Sequence, residues 1–355
     1  MKIKPYGVIS DSHNHGWDAF SSILPSGVNN RLQQTLDETT RCADEVLKAG
    51  GNRLYHGGDL FHVRGKLAPS VLNPTLDCYR AIIKKGVQVV INAGNHDLED
   101  KKVSRVSSAI TALADIGCIV VNSVDQGIGI DGNMVIVPWI ESIVDLKATI
   151  EMTLEEDRAG IDLLIHAPVD GVMPGIPDHG LDPAYLAGLG FRRVFAGHYH
   201  AHKEVVPGKV WSIGSLTSQT WSDVGAKAGF LIVDEEKVRW FKSHAPGFVE
   251  ISGATDPSEI PLIVDGNYVR CRVSTSKQSE IESLRDYLVN DCHAAGAVII
   301  PEPAKATVTR TTGPATAGIT IEASIGNFIH DSELTHPKRT IAACESILAQ
   351  VRSVA

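Results

Sequence analysis

Residues 94–97 read Gly-Asn-His-Asp and follow directly on an apolar, β-branched run, VQVVINA at 87–93. Asn, His and Asp bring an amide oxygen, an imidazole and a carboxylate. Those groups ligate divalent cations and move protons near neutral pH. Asn, Gly and Asp also form turns, so this stretch alone leaves a turn and a chemical site both open. The pattern recurs. Asp11-Ser12-His13 follows YGVIS, Gly58-Asp59 follows RLYHG, His166 follows IDLLI, and Gly197-His198-Tyr199-His200 follows RRVFA. Each fragment is weak by itself, since Asp-x-His is usually a surface pair and Gly-Asp means almost nothing. The whole series, in order and each at the end of a strand-like run, is a strong signal.

Such residues need elements that bring them together. The strand-like runs are separated by helical patterns at 31–49, 70–85, 103–115 and 141–156, which indicates an α/β domain. Parallel strands deliver their carboxyl ends to one sheet edge, where open α/β sheets place their chemistry. From about 203 to 251 short strands alternate with turns and read as an antiparallel meander completing the domain. GATDPSEIP at 253–261 marks a boundary. Beyond it the chain reads as a strand (NYVRCRV), a helix at about 277–295, and strands at AVIIPEP, KATVTRTT and AGITIEA. A terminal amphipathic helix is expected over 335–353, with Ile341, Cys344, Ile347, Leu348 and Val351 at helical spacing. The division expected is 1–252, a small α+β unit at 256–325, and a helical tail at 326–355.

The 355 residues are 43% hydrophobic and 21% charged, as in globular proteins. Net charge is −9, which counts against broad non-specific nucleic-acid binding. It does not exclude a nuclease, because bound cations reverse the local field. Cys42, Cys78, Cys118, Cys271, Cys292 and Cys344 form no Cys-x-x-Cys pair and read as reduced thiols. No apolar run reaches the ~20 residues of a membrane span. MKIKPYGVIS is too short in apolar residues for a signal peptide, so a cytoplasmic location and no membrane partner are expected.

Asp11, Asp59, Asn95 and the histidines are too many ligands for one ion. Two ions about 3.5–4 Å apart, sharing one carboxylate, would use them all. Oxygen and imidazole ligands without thiolate suit Mn, Fe, Zn or Mg. Asp-x-His, Gly-Asp, Gly-Asn-His-Asp, His and Gly-His-x-His in this order resemble the signature of calcineurin-like metallophosphoesterases, over about residues 5–200 and on to about 250. The resemblance implies a four-layer α/β/β/α sandwich with a small C-terminal α+β cap. It implies one ion on Asp11, His13 and His200, another on Asn95, His166 and His198, and Asp59 bridging them. A metal-bound hydroxide would attack phosphorus, His96 would give a proton to the leaving oxygen, and Asp97 would orient His96.

GGDLFHVRGKLAP at 57–69 looks like the corresponding stretch of SbcD-type DNA double-strand-break-repair nucleases. In some of these a second catalytic histidine lies three residues after the bridging Asp, which here is His62; the bland alternative is an exposed loop histidine. Residues after Arg64 depart from that pattern and leave the role of Arg64 open. PGKVWSIGSLTSQTW at 207–221 is similar to a Gly-Ser-Leu stretch of the same nucleases. The resemblance implies a DNA exonuclease or endonuclease using two ions, most simply manganese, with an SbcC-type ATPase partner on the terminal helix and a homodimer. That helix packing on its own domain is the plainer reading. The loop 166–183 either shapes a substrate cleft or is surface. His15, His56, His179 and His202 are not required by the ligand count. The alternative function is a phosphodiesterase or phosphatase of nucleotides or another small phosphoester. A docking subunit without activity is disfavoured, because no expected ligand is missing.

Overall fold

The computed structural model describes residues 3–98, 109–122, 129–131, 134–152, 158–175, 178–302, 321–331 and 336–354. In chain order the first elements are β1 (Tyr6–Ile9), α1 (Asn30–Lys48), β2 (Arg53–His56), α2 (Pro69–Lys84), β3 (Gln88–Asn92) and β4 (Ile119–Val121). A 3-10 helix, Ala109–Ile116, precedes β4. Then come β5 (Gly129–Asp131), β6 (Met134–Val137), α3 (Ile143–Glu151), β7 (Asp162–His166), α4 (Pro183–Gly188) and β8 (Arg193–Gly197). The strands β9 (Lys203–Val206), β10 (Val210–Ser212), β11 (Gly229–Val233), β12 (Val238–Lys242) and β13 (Phe248–Ser252) follow. The chain continues with α5 (Ile260–Val264), β14 (Tyr268–Val273), α6 (Gln278–Asp286), β15 (Gly296–Pro301), α7 (Ile321–Asp331) and α8 (Pro337–Val354).

Two six-stranded sheets form the core, in the orders β12-β11-β1-β2-β3-β4 and β5-β6-β7-β8-β10-β9. The pairs β1–β2, β2–β3 and β3–β4 are parallel, as are β6–β7 and β7–β8. The sheets face each other through Val8, Tyr55, Val90, Ile136, Leu164, Phe195, Trp211 and Leu231. The outer face of the first sheet is covered by α1 and α2, through Leu32, Leu36, Val46, Tyr79 and Ile82. The outer face of the second is covered by α3 and α4, through Leu146, Ile150 and Leu186. This is the four-layer α/β/β/α sandwich expected. α1 begins where the Asn29 side chain accepts from the amides of Arg31 and Leu32, satisfying donors that a helix start leaves open. In α2, Pro69 sits in the first turn, where no amide is needed.

The stretch 203–251 is not one meander. β9 and β10 form an edge of the second sheet, with β10 parallel to β8, while β11 and β12 form an edge of the first. Alternation alone fixes a strand and not its sheet. β13 lies before the boundary read at 253–261, yet it pairs in parallel with β14, which pairs with β15. The third sheet therefore begins at Phe248. It packs on Val264, Ile281 and Leu288. α6 runs into a π-helical turn, Tyr287–Asp291, shortening the helix read at 277–295.

By compactness the chain divides into two units, meeting at Glu302 and Pro303. The second contains α7 and α8, which contact each other. Of the strand read at 317–323, Ile321, Glu322 and Ala323 lie in α7 instead, where Ile321, Ile325, Phe328 and Ile329 repeat at helical spacing, and 317–320 lie outside the described residues. The strand read at 305–312 and the helical pattern at 103–108 lie outside the described residues. Among the described residues, no helix is long and apolar enough to cross a membrane. All six cysteines are free thiols.

Candidate active site

The carboxyl ends of β1, β2 and β3 in one sheet, and of β7 and β8 in the other, deliver Asp11, Asp59, Asn95, His166 and His198. The turns after β1 and β2 run side by side: Asp11 N donates to Gly58 O at 2.9 Å and His13 N to Asp59 O at 3.0 Å. Asp11, His13, Asp59 and His198 all have positive φ, between 41° and 104°. Residues other than Gly rarely adopt that backbone, Asp and His more readily than most, and it clusters at functional sites. Gly94 lies against Asp59: a Cβ there would stand 2.2 Å from Asp59 Oδ1. Gly94→Ala is therefore expected to cost about 3 kcal/mol of stability through overpacking and to push Asp59 out of place. Denaturant unfolding together with metal titration checks this; an unchanged midpoint and unchanged metal affinity would refute it.

Two groups of donor atoms form around Asp59. In one, His13 Nε2 and His200 Nε2 approach to 3.3 Å, with His13 Nε2 3.6 Å from Asp59 Oδ2. Asp11, His13 and His200 offer donor atoms within 4.8 Å of one another. In the other, Asn95 Oδ1 lies 3.1 Å from both His166 Nε2 and His198 Nδ1. There His166 Nε2 is 3.5 Å from Asp59 Oδ2. His166 Nδ1 donates to Gly57 O at 2.8 Å, which leaves Nε2 as the nitrogen facing the group, with its lone pair free whenever the ring is neutral. His200 Nδ1 donates to Asp223 Oδ1 at 2.8 Å, with the same consequence. Lone pairs converging in this way repel unless positive charge lies among them, so the donor set fits divalent cations.

Electrostatics agree with this. Burial opposes charge on Asp59, but His166, His13 and His96 outweigh it and hold the carboxyl well below its usual range. Burial alone would lower His166; the Asp59 and Asp11 carboxylates carry it up to about 9. His198 falls to about 3 through burial and then His166. Asp59 keeps its charge and favours positive charge beside it, whereas burial raises the Asp11 carboxyl.

The pattern of calcineurin-like phosphoesterases matches residues 4–202. The chain belongs to this family. It is a metal-dependent phosphoesterase, and the clustered Asp and His residues are those able to hold its metal. Two solved structures share similarity with this phosphoesterase. The nuclease MPE of Pseudomonas putida is 15% identical, over 66% of this chain and 87% of that one, with a TM-score of 0.31. A dimetal phosphatase from Danio rerio is 11% identical, over 68% of this chain and 100% of that one, with a TM-score of 0.42. No curated protein matches the chain.

In the phosphoesterase, His96 sits at the edge of the donor set, its ring 4.8 Å from that of His13. Its Nδ1 donates to the His62 carbonyl at 2.7 Å. Asp97 was the group expected to orient His96, and its carboxylate bonds backbone amides as well. The Asp97 carboxylate accepts from the amides of Gly94, Leu60 and Phe61, at 2.9, 3.0 and 3.1 Å. It ties the turn after β3 to the turn after β2, and burial pushes it up to about 7. His62 is half-buried, not a free loop histidine, and its Nδ1 lies 3.3 Å from His13 Nδ1. Burial and then His15 and His96 take it down to about 4. Arg64 Nε donates to the Asn95 carbonyl at 2.8 Å, which fixes the backbone that presents Asn95.

His15, His56, His179 and His202 belong to neither group of donors. His56 is buried, accepting at Nδ1 from Gly58 N and lying 2.8 Å from Ser12 Oγ through Nε2. His15 and His202 pack on Trp17 and Trp240, and His179 Nε2 is 3.4 Å from Tyr199 Oη. The sequence reading missed Trp139, whose ring stacks on His198 at 5.2 Å, and Asp223, which holds His200. Neither belongs to a short motif. Asp223 lies 23 residues from the histidine it serves, and only the fold pairs them.

Proposed function

We propose that this phosphoesterase uses two divalent ions, manganese being the first candidate, to hydrolyse phosphodiesters, and that its substrate is DNA, cut as SbcD-type nucleases cut it. Asp11, His13 and His200 would hold one ion, Asn95, His166 and His198 the other, and Asp59 both. When bound, the ions neutralise charge growing on the phosphoryl oxygens and supply a nucleophile at neutral pH. The observation that carries the reading is the His62–His96 pair, two imidazoles beyond the ligand count, stacked at 5.6 Å beside His13. With Nδ1–H of His96 committed to the His62 carbonyl, Nε2 is the nitrogen left for the leaving oxygen, and the doubly protonated ring would give that oxygen its proton. An alkoxide leaving from a DNA diester needs that proton. An SbcC-type ATPase partner and a homodimer belong to the same proposal.

The net charge of −9 favours a second reading, a small phosphodiester substrate. Digestion of end-labelled DNA with manganese separates the two, with bis-p-nitrophenyl phosphate alongside and a chelator as control. Shortened DNA, blocked by chelation, supports the nuclease. Cleavage of the small diester with DNA intact supports the second reading. Failure on both substrates with metal bound overturns both.

A further inference from the structure

The loop 213–223, between β10 and β11, reaches two of the ligand-bearing turns. Leu216 N donates to Ser10 O at 3.1 Å and Ser215 N to His200 O at 3.0 Å. Gln219 Nε2 donates to the carbonyl of Asp11 at 2.6 Å. Asp223 Oδ1 accepts from His200 Nδ1 at 2.8 Å, while its Oδ2 accepts from the amides of Gln219 and Thr220 at 2.7 and 3.0 Å. Arg31 Nη2 donates to Gln219 O at 2.6 Å and holds this loop from behind. Gln219 and Asp223 are both buried, each 3% exposed. The ligands on the other side are held by different means. His166 is fixed by Gly57 O, His198 is stacked on Trp139, and the Asn95 backbone is held by Arg64.

We infer that Asp223 and Gln219 are positioning residues for one ion of the pair, the one that Asp11, His13 and His200 would hold. The inference rests on the two-ion reading above. A carboxylate on Nδ1 fixes both the tautomer and the ring orientation of a ligating histidine and raises its basicity, and loss of such a partner typically costs 10- to 100-fold in metal affinity. Gln219 acts on the same ion from the other side. Its amide fixes the carbonyl of Asp11, a residue with φ of 48°. A brace on the His200 ring and the Asp11 carbonyl together acts on one side of the site.

Manganese titrated into the whole chain by calorimetry tests this, with circular dichroism confirming that each variant is folded. Wild type is expected to bind two ions. Asp223→Ala keeps one binding step at its wild-type affinity and weakens the other 10- to 100-fold. Asn95→Ala loses the step that Asp223→Ala keeps, and the double variant keeps neither step at wild-type affinity. Asp223→Asn, whose side-chain oxygen can still accept from His200, falls between wild type and Asp223→Ala. Equal weakening of both steps by Asp223→Ala, or no weakening of either, overturns the inference. Should Asp223→Ala not fold, Gln219→Met decides: a weaker single step supports the inference, and unchanged binding overturns it. Wild type binding fewer than two ions overturns the two-ion reading itself, before any variant is compared, and the inference with it.

Discussion

Asp59→Ala is expected to lower the rate of phosphodiester cleavage by at least about 10³-fold and to weaken both metal-binding steps at once. Asp59 Oδ2 stands 3.6 Å from His13 Nε2 and 3.5 Å from His166 Nε2, so one oxygen serves both groups of donors. Removing it takes negative charge from both and leaves buried imidazoles facing one another. Losing one preorganised electrostatic contact commonly costs 10²- to 10³-fold, and this substitution disturbs both halves of the site. The measurement is paired: manganese titration, and turnover of bis-p-nitrophenyl phosphate. The contrast with Asp223→Ala is diagnostic, since that variant should touch one step. If Asp59→Ala retains either step at full affinity, Asp59 does not serve both ions.

His96→Gln should separate chemistry from binding. On DNA, the substrate proposed above, the expected result is a kcat lower by about 10²- to 10³-fold, with both metal-binding steps intact. The main-chain amide of His96 donates to Asp59 Oδ1 at 2.7 Å, and substitution of the side chain preserves that bond. The loss should depend on the leaving group. p-Nitrophenolate leaves without a proton, so bis-p-nitrophenyl phosphate should lose far less than a substrate with an alkoxide leaving group. Equal loss on both substrates would remove His96 from the role of acid. A lost metal step would show instead that His96 shapes the site through its neighbours.

The donor residues were legible in the sequence because each ends a buried parallel strand. Such strands read as unbroken apolar runs, so the polar residues that end them stand out. The roles of neighbours were less legible. Asp97 adjoins His96 in sequence, yet its carboxylate faces the amides of Gly94, Leu60 and Phe61, while a carbonyl from His62 takes His96. Backbone partners carry no residue-type signal. Asp223, Trp139 and Arg64 were unreadable for the opposite reason, since ordinary residues acquire their roles only when two distant loops meet. The sheet membership of β9 to β13 was hidden because hairpins alternate identically whichever sheet they join.

The amide of His198 reaches the Asp11 carboxylate across 187 positions of sequence, from one sheet to the other. No shorter stretch of chain contains both halves of the site. During synthesis, therefore, β1 to β4 can be made while the site is still absent, the chain must reach His200 before the donors converge, and the first sheet itself closes only with β11 and β12. Any cation held there is bound by the finished sandwich and adds its binding energy to the folded state alone. The site thus doubles as a late fastening between the sheets, so metal supply and conformational survival of this protein are linked quantities.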